Sequence, residues 1–515
     1  MKYTGIFIGL MLTVKILSSQ NNIMISNMNN PNETPIAINP AHPNEMISGA
    51  NIYNCYISLD TGKTWTLKEI NSTYGVWGDP VVTIDTSGNF YFFHLSNPAI
   101  GNWIDRIVCQ KSTDKGKTWY NGTYAGLNGT KIQDKPWVTV DRKTNAIYLT
   151  WTQFDAYNSS NPLDSSIILF SKSTDEGNTW SKPVRISADA GDSRDSSNTV
   201  EGAVPCVGTN GEIYVSWAGP HGIVFNKSLD AGKTWLKHEV FVDSIIPGWC
   251  INISGIDRSN GFPVTACDTS HSPYRGTVYI NWADQRNGST NTDIWLSKST
   301  DGGDTWSDAV QVNDDKTHRH QFFTWMTIDQ TNGYLYFIFY DRRNYKGDTT
   351  DVYVAVSKDG GNTFVNKKIS EKPFLPNKDI FFGDYTNIAA YNGIIRPVWT
   401  RLHNGYLSVW TDISNLKNTK KPLHTKKFDF EKKTNPEYKY TYLTYSLHKS
   451  SIVSIIVYDK TENEVAKIKD NLTLPSGKYY EKIKINNLKL KPGSYKLKLF
   501  INNELILVKE IVEFD

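Results

Sequence analysis

Two phrases of similar form, Asp284-Gln-Arg286-Asn287 and Asp341-Arg-Arg343-Asn344, each set a guanidinium two residues past an aspartate at the end of an apolar run. A third arginine, Arg401, ends a run of the same kind further along. Three guanidiniums facing one mouth would clamp a carboxylate through paired N–H donors. The alternative is that each arginine pairs locally at its own strand end and holds a loop. Acids stand at the other end of such runs, where they begin: Glu33, Asp79, Asp134 and Glu201. A carboxylate there can serve as general acid, as base or as helper to a nucleophile. It can equally do no more than accept exposed backbone N–H groups. Glu201 and Asp79 are the catalytic candidates, together with the phenol of Tyr385, which opens Tyr385-Thr-Asn-Ile-Ala-Ala390.

What must position these residues is a repeat. The phrase Ser-x-Asp-x-Gly-x-Thr-Trp runs from Ser58 to Trp65, Ser112 to Trp119, Ser173 to Trp180, Ser228 to Trp235 and Ser299 to Trp306. A sixth copy, Ser357 to Phe364, carries Phe as its aromatic. Copies lie about 54 to 71 residues apart, the range of propellers and arrays. The Ser and Asp oxygens can bond nearby N–H groups and hold a tight turn. The glycine supplies a positive φ, and the aromatic fills the gap between neighbouring units. These aspartates are therefore expected to be structural and peripheral.

Upstream of each turn come an alternating strand, a Gly/Asn turn, a second strand, a loop and a third strand. Val81–Asp85, Asn89–His94 and Arg106–Cys109 show the order. Period-2 alternation in short, turn-bounded runs marks antiparallel sheets, and four-stranded sheets set radially are propeller blades. Units start near residues 33, 79, 134, 201, 263 and 322, and a seventh without the turn follows Tyr385. Asn22–Ser26 resembles the last strands of other units and is expected to pair beside Tyr406–Trp410. The expected fold is thus all-β: a propeller over 22–415, seven blades favoured and six the alternative. In such a ring, first-strand starts and second-strand ends share one face, so the acids and arginines above would converge.

Residues 416–437 are Lys-rich and read as a solvated linker, and 438–515 alternate again like a small β-sandwich. Residues 1–19 read as a secretory signal peptide, which implies a secreted or cell-surface protein. No later stretch is apolar enough to span a bilayer. A net charge of +3 over 515 residues gives no ground for nucleic-acid binding. The 16 Trp and 28 Tyr suit both a β core and sugar-stacking surfaces. Five cysteines include no CxxC or Cys/His cluster, so neither a metal nor a cofactor is expected. Cys250 and Cys267 flank one loop and could pair or remain free thiols.

The repeated turn is the Asp box, or bacterial neuraminidase repeat, and 22–415 resembles sialidases and the wider Asp-box propeller superfamily. That resemblance implies a Tyr nucleophile paired with a Glu, three arginines on the sugar carboxylate and an Asp acid/base. Tyr385-Thr-Asn-Ile resembles the stretch that carries the Tyr, and Glu201-Gly-Ala-Val with Asn210-Gly211 resembles that of the Glu. The chain departs from the pattern elsewhere: Glu33-Thr34-Pro35 replaces Arg-Ile-Pro, and Trp217 stands where an Arg is expected. No Asp lies in the loop near Tyr53. The last domain resembles C-terminal sandwiches of secreted Bacteroidetes proteins.

The reading that follows is a sialidase-like exo-glycoside hydrolase acting on an acidic sugar. It would use Tyr385, Glu201 and Asp79, with Arg286, Arg343 and Arg401 holding substrate, and the Tyr385 oxygen within about 3.5 Å of a carboxylate. The alternatives are a non-catalytic glycan- or protein-binding propeller and a uronic-acid lyase using His94, His221 or His320. Whether the chain is an enzyme stays open at this point. A carbohydrate or glycoconjugate partner and a monomeric state are expected.

Overall fold

The computed structural model describes residues 21–416, 430–431, 440–491 and 493–513. The expected signal segment and most of the Lys-rich stretch lie outside the described residues. Among those described there is no α-helix. Seven antiparallel sheets follow one another through residues 21–416, each with four strands in line. The third also carries a short extra strand, Gly191–Asp192. The first six take their strands in chain order. The seventh is built from Asn387–Tyr391, Ile394–His403 and Tyr406–Asp412, and its outer strand is Asn22–Ser26. The pairing sets Asn22 opposite Asp412 and Met24 opposite Trp410. Asn22 Nδ2 adds bonds to Asp412 Oδ2 at 2.8 Å and to Ile369 O at 2.9 Å. The two ends of the sheet series are thereby joined, and the arrangement is a β-propeller.

The repeated turns connect the third and fourth strands of each of the first six sheets. In the first, Gly62 N donates to Ser58 Oγ at 2.9 Å, while Thr64 donates to Asp60 through N at 2.9 Å and Oγ1 at 2.7 Å. The same bonds recur around Asp114, Asp175, Asp230, Asp301 and Asp359. Each turn lies against the preceding sheet. At Gly232 (φ 81°) a Cβ would stand 2.3 Å from the Phe170 ring, and Trp235 packs on the same ring with centroids 5.0 Å apart. The first turn meets the last sheet, where Arg396 Nε donates to Thr61 O at 2.7 Å.

First strands line the axis and slip register as they begin. Shifts fall between Gly78 and Val81, Asp134 and Trp137, Glu201 and Val204, and Phe322 and Trp325. At this step the backbone is left-handed at Glu33, Asp79, Lys135 and Phe323, with φ between 47° and 55°. Non-glycine residues rarely adopt such values, and strain of this kind gathers at sites. A bulge of this kind re-aims side chains at the strand start. Four steps further, the residues partly exposed on the axis are small: Thr83, Thr139 and Thr327, then Ala37, Ala266 and Ala389, with Cys206 between.

Beyond the ring, Tyr440–Leu447 pairs with Gly477–Lys484, and a four-stranded sheet runs through Ser451–Tyr458 and Gly493–Ile501. Leu443 and Leu447 from the first sheet share a core with Val453, Ile455, Leu497 and Leu499 from the second. The expectation of a purely solvated linker needs one correction. Phe430–Glu431 forms a short strand against Trp306–Ser307 of the ring.

Candidate functional site

At the end of the axis where the first strands begin, a cavity of about 370 Å³ is walled by Trp77, Trp103, Tyr157 and Phe381. Its remaining surface includes Asn51, Asp79, Asp134, Lys135, Asp257 and Arg258. Trp103 meets Trp77 and Tyr157 edge to face, with centroids 5.8 Å apart in both cases. Trp77 and Trp103 are 41% and 39% exposed, large indole faces offered to solvent.

Beneath the wall, charges alternate along one chain of contacts. Lys135 Nζ lies 2.9 Å from Asp79 Oδ2 and 2.7 Å from Asp384 Oδ2. Arg258 donates from Nε to Asp384 Oδ1 at 3.0 Å, from Nη2 to Asp384 Oδ2, and from Nη1 to Asp195 Oδ2 at 3.0 Å. Tyr157 OH ends the chain on Asp195 Oδ2 at 2.6 Å. Glu33 sits just below, taking Asn51 Nδ2 at 2.8 Å and Asp384 N at 3.2 Å.

The acids are not equivalent. Burial works against ionisation of Asp384, yet Lys135 and Arg258 outweigh it and hold the carboxyl at about 2. Burial pushes Asp134 the other way, to about 7, against the opposing pull of Lys135 and with Asp79 and Asp195 adding to the rise. Glu33 is raised by burial and by Asp79, and Glu201 by burial and by Asp195. Groups in one site whose environments drive their pKa values apart can divide acid and base roles.

Compared with known proteins, the chain matches no family model and no curated protein sequence. Its fold is similar to those of sialidases and a polysaccharide lyase. A Hadza microbial sialidase is 15% identical at TM-score 0.39, with 72% of this chain and 73% of that one covered. An intramolecular trans-sialidase from Ruminococcus gnavus is 13% identical at TM-score 0.42, over 68% and 97% of the two chains. An ulvan lyase bound to -[GlcA(1-4)Rha3S]- is 13% identical at TM-score 0.43, over 75% and 94%.

Of the residues singled out in the sequence, Asp79 lines the cavity. Glu201 lies buried beneath, and its Oε2 has no hydrogen-bond partner among the described residues. Tyr385 is 9% exposed, and its ring packs 5.0 Å from that of Trp137. The phenol donates to Pro80 O at 2.9 Å rather than to a carboxylate. Burial, then Glu33 and Asp79, raise its pKa, the direction opposite to that of an activated nucleophile.

The expected arginine clamp is corrected. Arg286 binds Asp284 and reaches Asp243, Arg343 binds Asp341 and Asp314, and Arg401 donates to Lys372 O at 3.1 Å. Among the described residues the three share no partner and none lines the cavity, because each strand-end carboxylate or loop carbonyl captures the guanidinium nearest to it. The histidines offered as lyase bases do not line it either. Burial lowers both His94 and His320 to about 4, and His221 pairs with Asp189 at 3.1 Å. Cys250 and Cys267 are free thiols.

Sequence reasoning favoured a structural part for Asp134, bonding backbone N–H groups at its strand start, and missed Arg258, Asp195, Trp77, Trp103 and Phe381. These five lie in loops between the repeating strands. The one available signal for Arg258 was the long gap between the boxes at Ser228 and Ser299, which holds it.

Proposed function

We propose that the chain is a seven-bladed, glycan-active Asp-box propeller with a C-terminal sandwich, and that its mouth cleaves a glycosidic bond in a neutral saccharide. The observation that carries this reading is a single cavity joining an indole-rich wall to the carboxyl groups of Asp79, Asp134 and Asp257, of which burial raises Asp134 to about 7. Aromatic faces stack on sugar rings. A carboxyl still protonated near neutrality can hand its proton to a leaving oxygen as a general acid. Asp79, fixed by Lys135 at 2.9 Å, supplies the second carboxylate that glycoside hydrolysis ordinarily uses.

A neutral substrate replaces the acidic sugar first expected. Both cations that line the cavity, Lys135 and Arg258, already hold carboxylates, so a substrate carboxylate would have to displace one. The bonding of Tyr385 to Pro80 O argues for a positioning part, since it ties the start of the seventh sheet to the second.

The test is turnover of paired neutral and acidic aryl glycosides. Asp134→Asn should lower kcat on the neutral member by roughly 10²–10⁴, while Trp103→Ala should mainly raise KM. Activity of the unaltered protein should fall as pH rises through about 7, because the acid form of Asp134 is then lost. Faster cleavage of the acidic member would defeat the neutral reading. Saccharide binding without turnover of any member would make the chain a binding module.

A further inference from the structure

The other end of the axis holds a second cavity, of about 410 Å³, that the proposed chemistry does not use. Trp137 and Trp325, with ring centroids 4.3 Å apart, lie at its inner end and separate it from the mouth. Thr83, Thr139 and Thr327 set hydroxyls on its wall, and Arg142, Lys143 and Arg275 stand at its opening. Lys143 donates to Thr209 O at 2.6 Å and Arg275 to Ser270 O at 2.7 Å. These bonds to neutral carbonyls leave further N–H donors of both side chains open, and Glu212 lies close enough to Lys143 to be lowered by its charge.

Arg142 is different. It makes no hydrogen bond or ion pair among the described residues, and its guanidinium lies over the Tyr391 ring at 5.7 Å. The residue is open to solvent at the rim, the chain crowded around it lowers its pKa, and no carboxylate among the described residues offsets the effect. The adjacent Asp141 spends its oxygens on Lys143 N at 2.9 Å and Thr144 Oγ1 at 2.8 Å. An accessible guanidinium without an acid is completed by a carboxylate through two parallel N–H···O bonds.

We propose that this opening binds a small polyhydroxylated carboxylate, of the size and chemistry of a hexuronate, with Arg142 as its anchor. The volume falls in the range of small-ligand pockets, about 300–1,000 Å³. The threonine hydroxyls meet sugar hydroxyls, and the two additional cations favour an anion over a neutral sugar. The site stands apart from the mouth and does not depend on its chemistry.

The probe is sodium glucuronate added to the full chain, followed by tryptophan emission, since Trp137 and Trp325 border the cavity, and by calorimetry. Glucuronate should bind and glucose should not. Arg142→Gln should weaken glucuronate at least about tenfold, equivalent to ~1.4 kcal/mol, with an unchanged melting temperature. Arg142→Lys, which keeps charge but loses the planar fork, should fall between. Asp134→Asn should bind glucuronate as the unaltered protein does. Equal affinity in the Arg142→Gln variant, equal binding of glucose, or tighter binding of inorganic phosphate would overturn the proposal. Loss of binding in Asp134→Asn would assign the ligand to the mouth instead.

Discussion

Asp384 holds two cations at once, and the mouth depends on it. Its carboxylate takes Lys135 at 2.7 Å and Arg258 on both oxygens; Asp384 and Lys135 are almost fully buried, while Arg258 is half-buried at the cavity. Asp384→Asn would leave both cations in place without the one carboxylate they share, Asp79 and Asp195 remaining. Breaking a buried pair in this way costs roughly 3–5 kcal/mol, so the denaturation midpoint should drop sharply. A midpoint within experimental error of the unaltered protein would show that Lys135 and Arg258 do not rely on this acid. Asp175 gives the contrast. It bonds Thr179 twice in a peripheral turn and nothing near the mouth, at 2.9 and 2.6 Å. Asp175→Ala should cost about 0.5–2 kcal/mol, as a lost cap does, and leave turnover unchanged. Strand-start acids such as Asp79 and Asp134 could be read in the sequence because the repeat fixes their position. Arg258 could not, because it belongs to an insertion with no counterpart in other units, and only the folded ring carries it to Asp384.

Among the elements, the sheets and turns were the most legible part of the chain. Alternation fixes which strand faces pack, and the Ser-x-Asp-x-Gly phrase fixes each turn, so both follow from local chemistry. The pairing of Asn22–Ser26 with Tyr406–Asp412 was also visible, since an edge strand missing from one unit and spare at the other end points to closure. Side-chain destinations at strand ends were not. Arg286 and Arg343 have the composition of a clamp, but Asp284 and Asp341 two residues away reach them first. Local capture wins because it needs no further ordering of chain. Two element-level outcomes follow. Gly232→Ala should destabilise by more than about 1 kcal/mol, since alanine resists a positive φ and its methyl would meet Phe170. Asn22→Ala should cost about 1–3 kcal/mol, because Asp412 Oδ2 and Ile369 O lose a buried donor. Chemical denaturation of each variant measures these changes. An Asn22→Ala protein as stable as its parent would mean that backbone pairing alone closes the ring.

Over the whole molecule, the buried acids of the mouth tie stability to pH, and the sign differs between them. Glu33, Asp134 and Glu201 are raised by burial, so the folded state binds their protons more tightly than the unfolded chain does. Their contribution is complete below the unfolded value near 4, and is lost as pH rises through the folded value, about 7 for Asp134. Asp384 runs the other way. Held at about 2 by Lys135 and Arg258, it contributes fully above the unfolded value and loses that contribution as pH falls towards 2. The two windows overlap in mildly acid solution, and melting temperature should be highest there and decline from pH 5 to pH 8. Asp134→Asn, which cannot titrate, should flatten that decline while Glu33 and Glu201 preserve part of it. Thermal melts of both proteins across the range decide the matter. A melting temperature that rises towards pH 8, or an unchanged slope in the variant, would show that Asp134 is ionised in the fold and is not available as the acid on which the proposed chemistry depends.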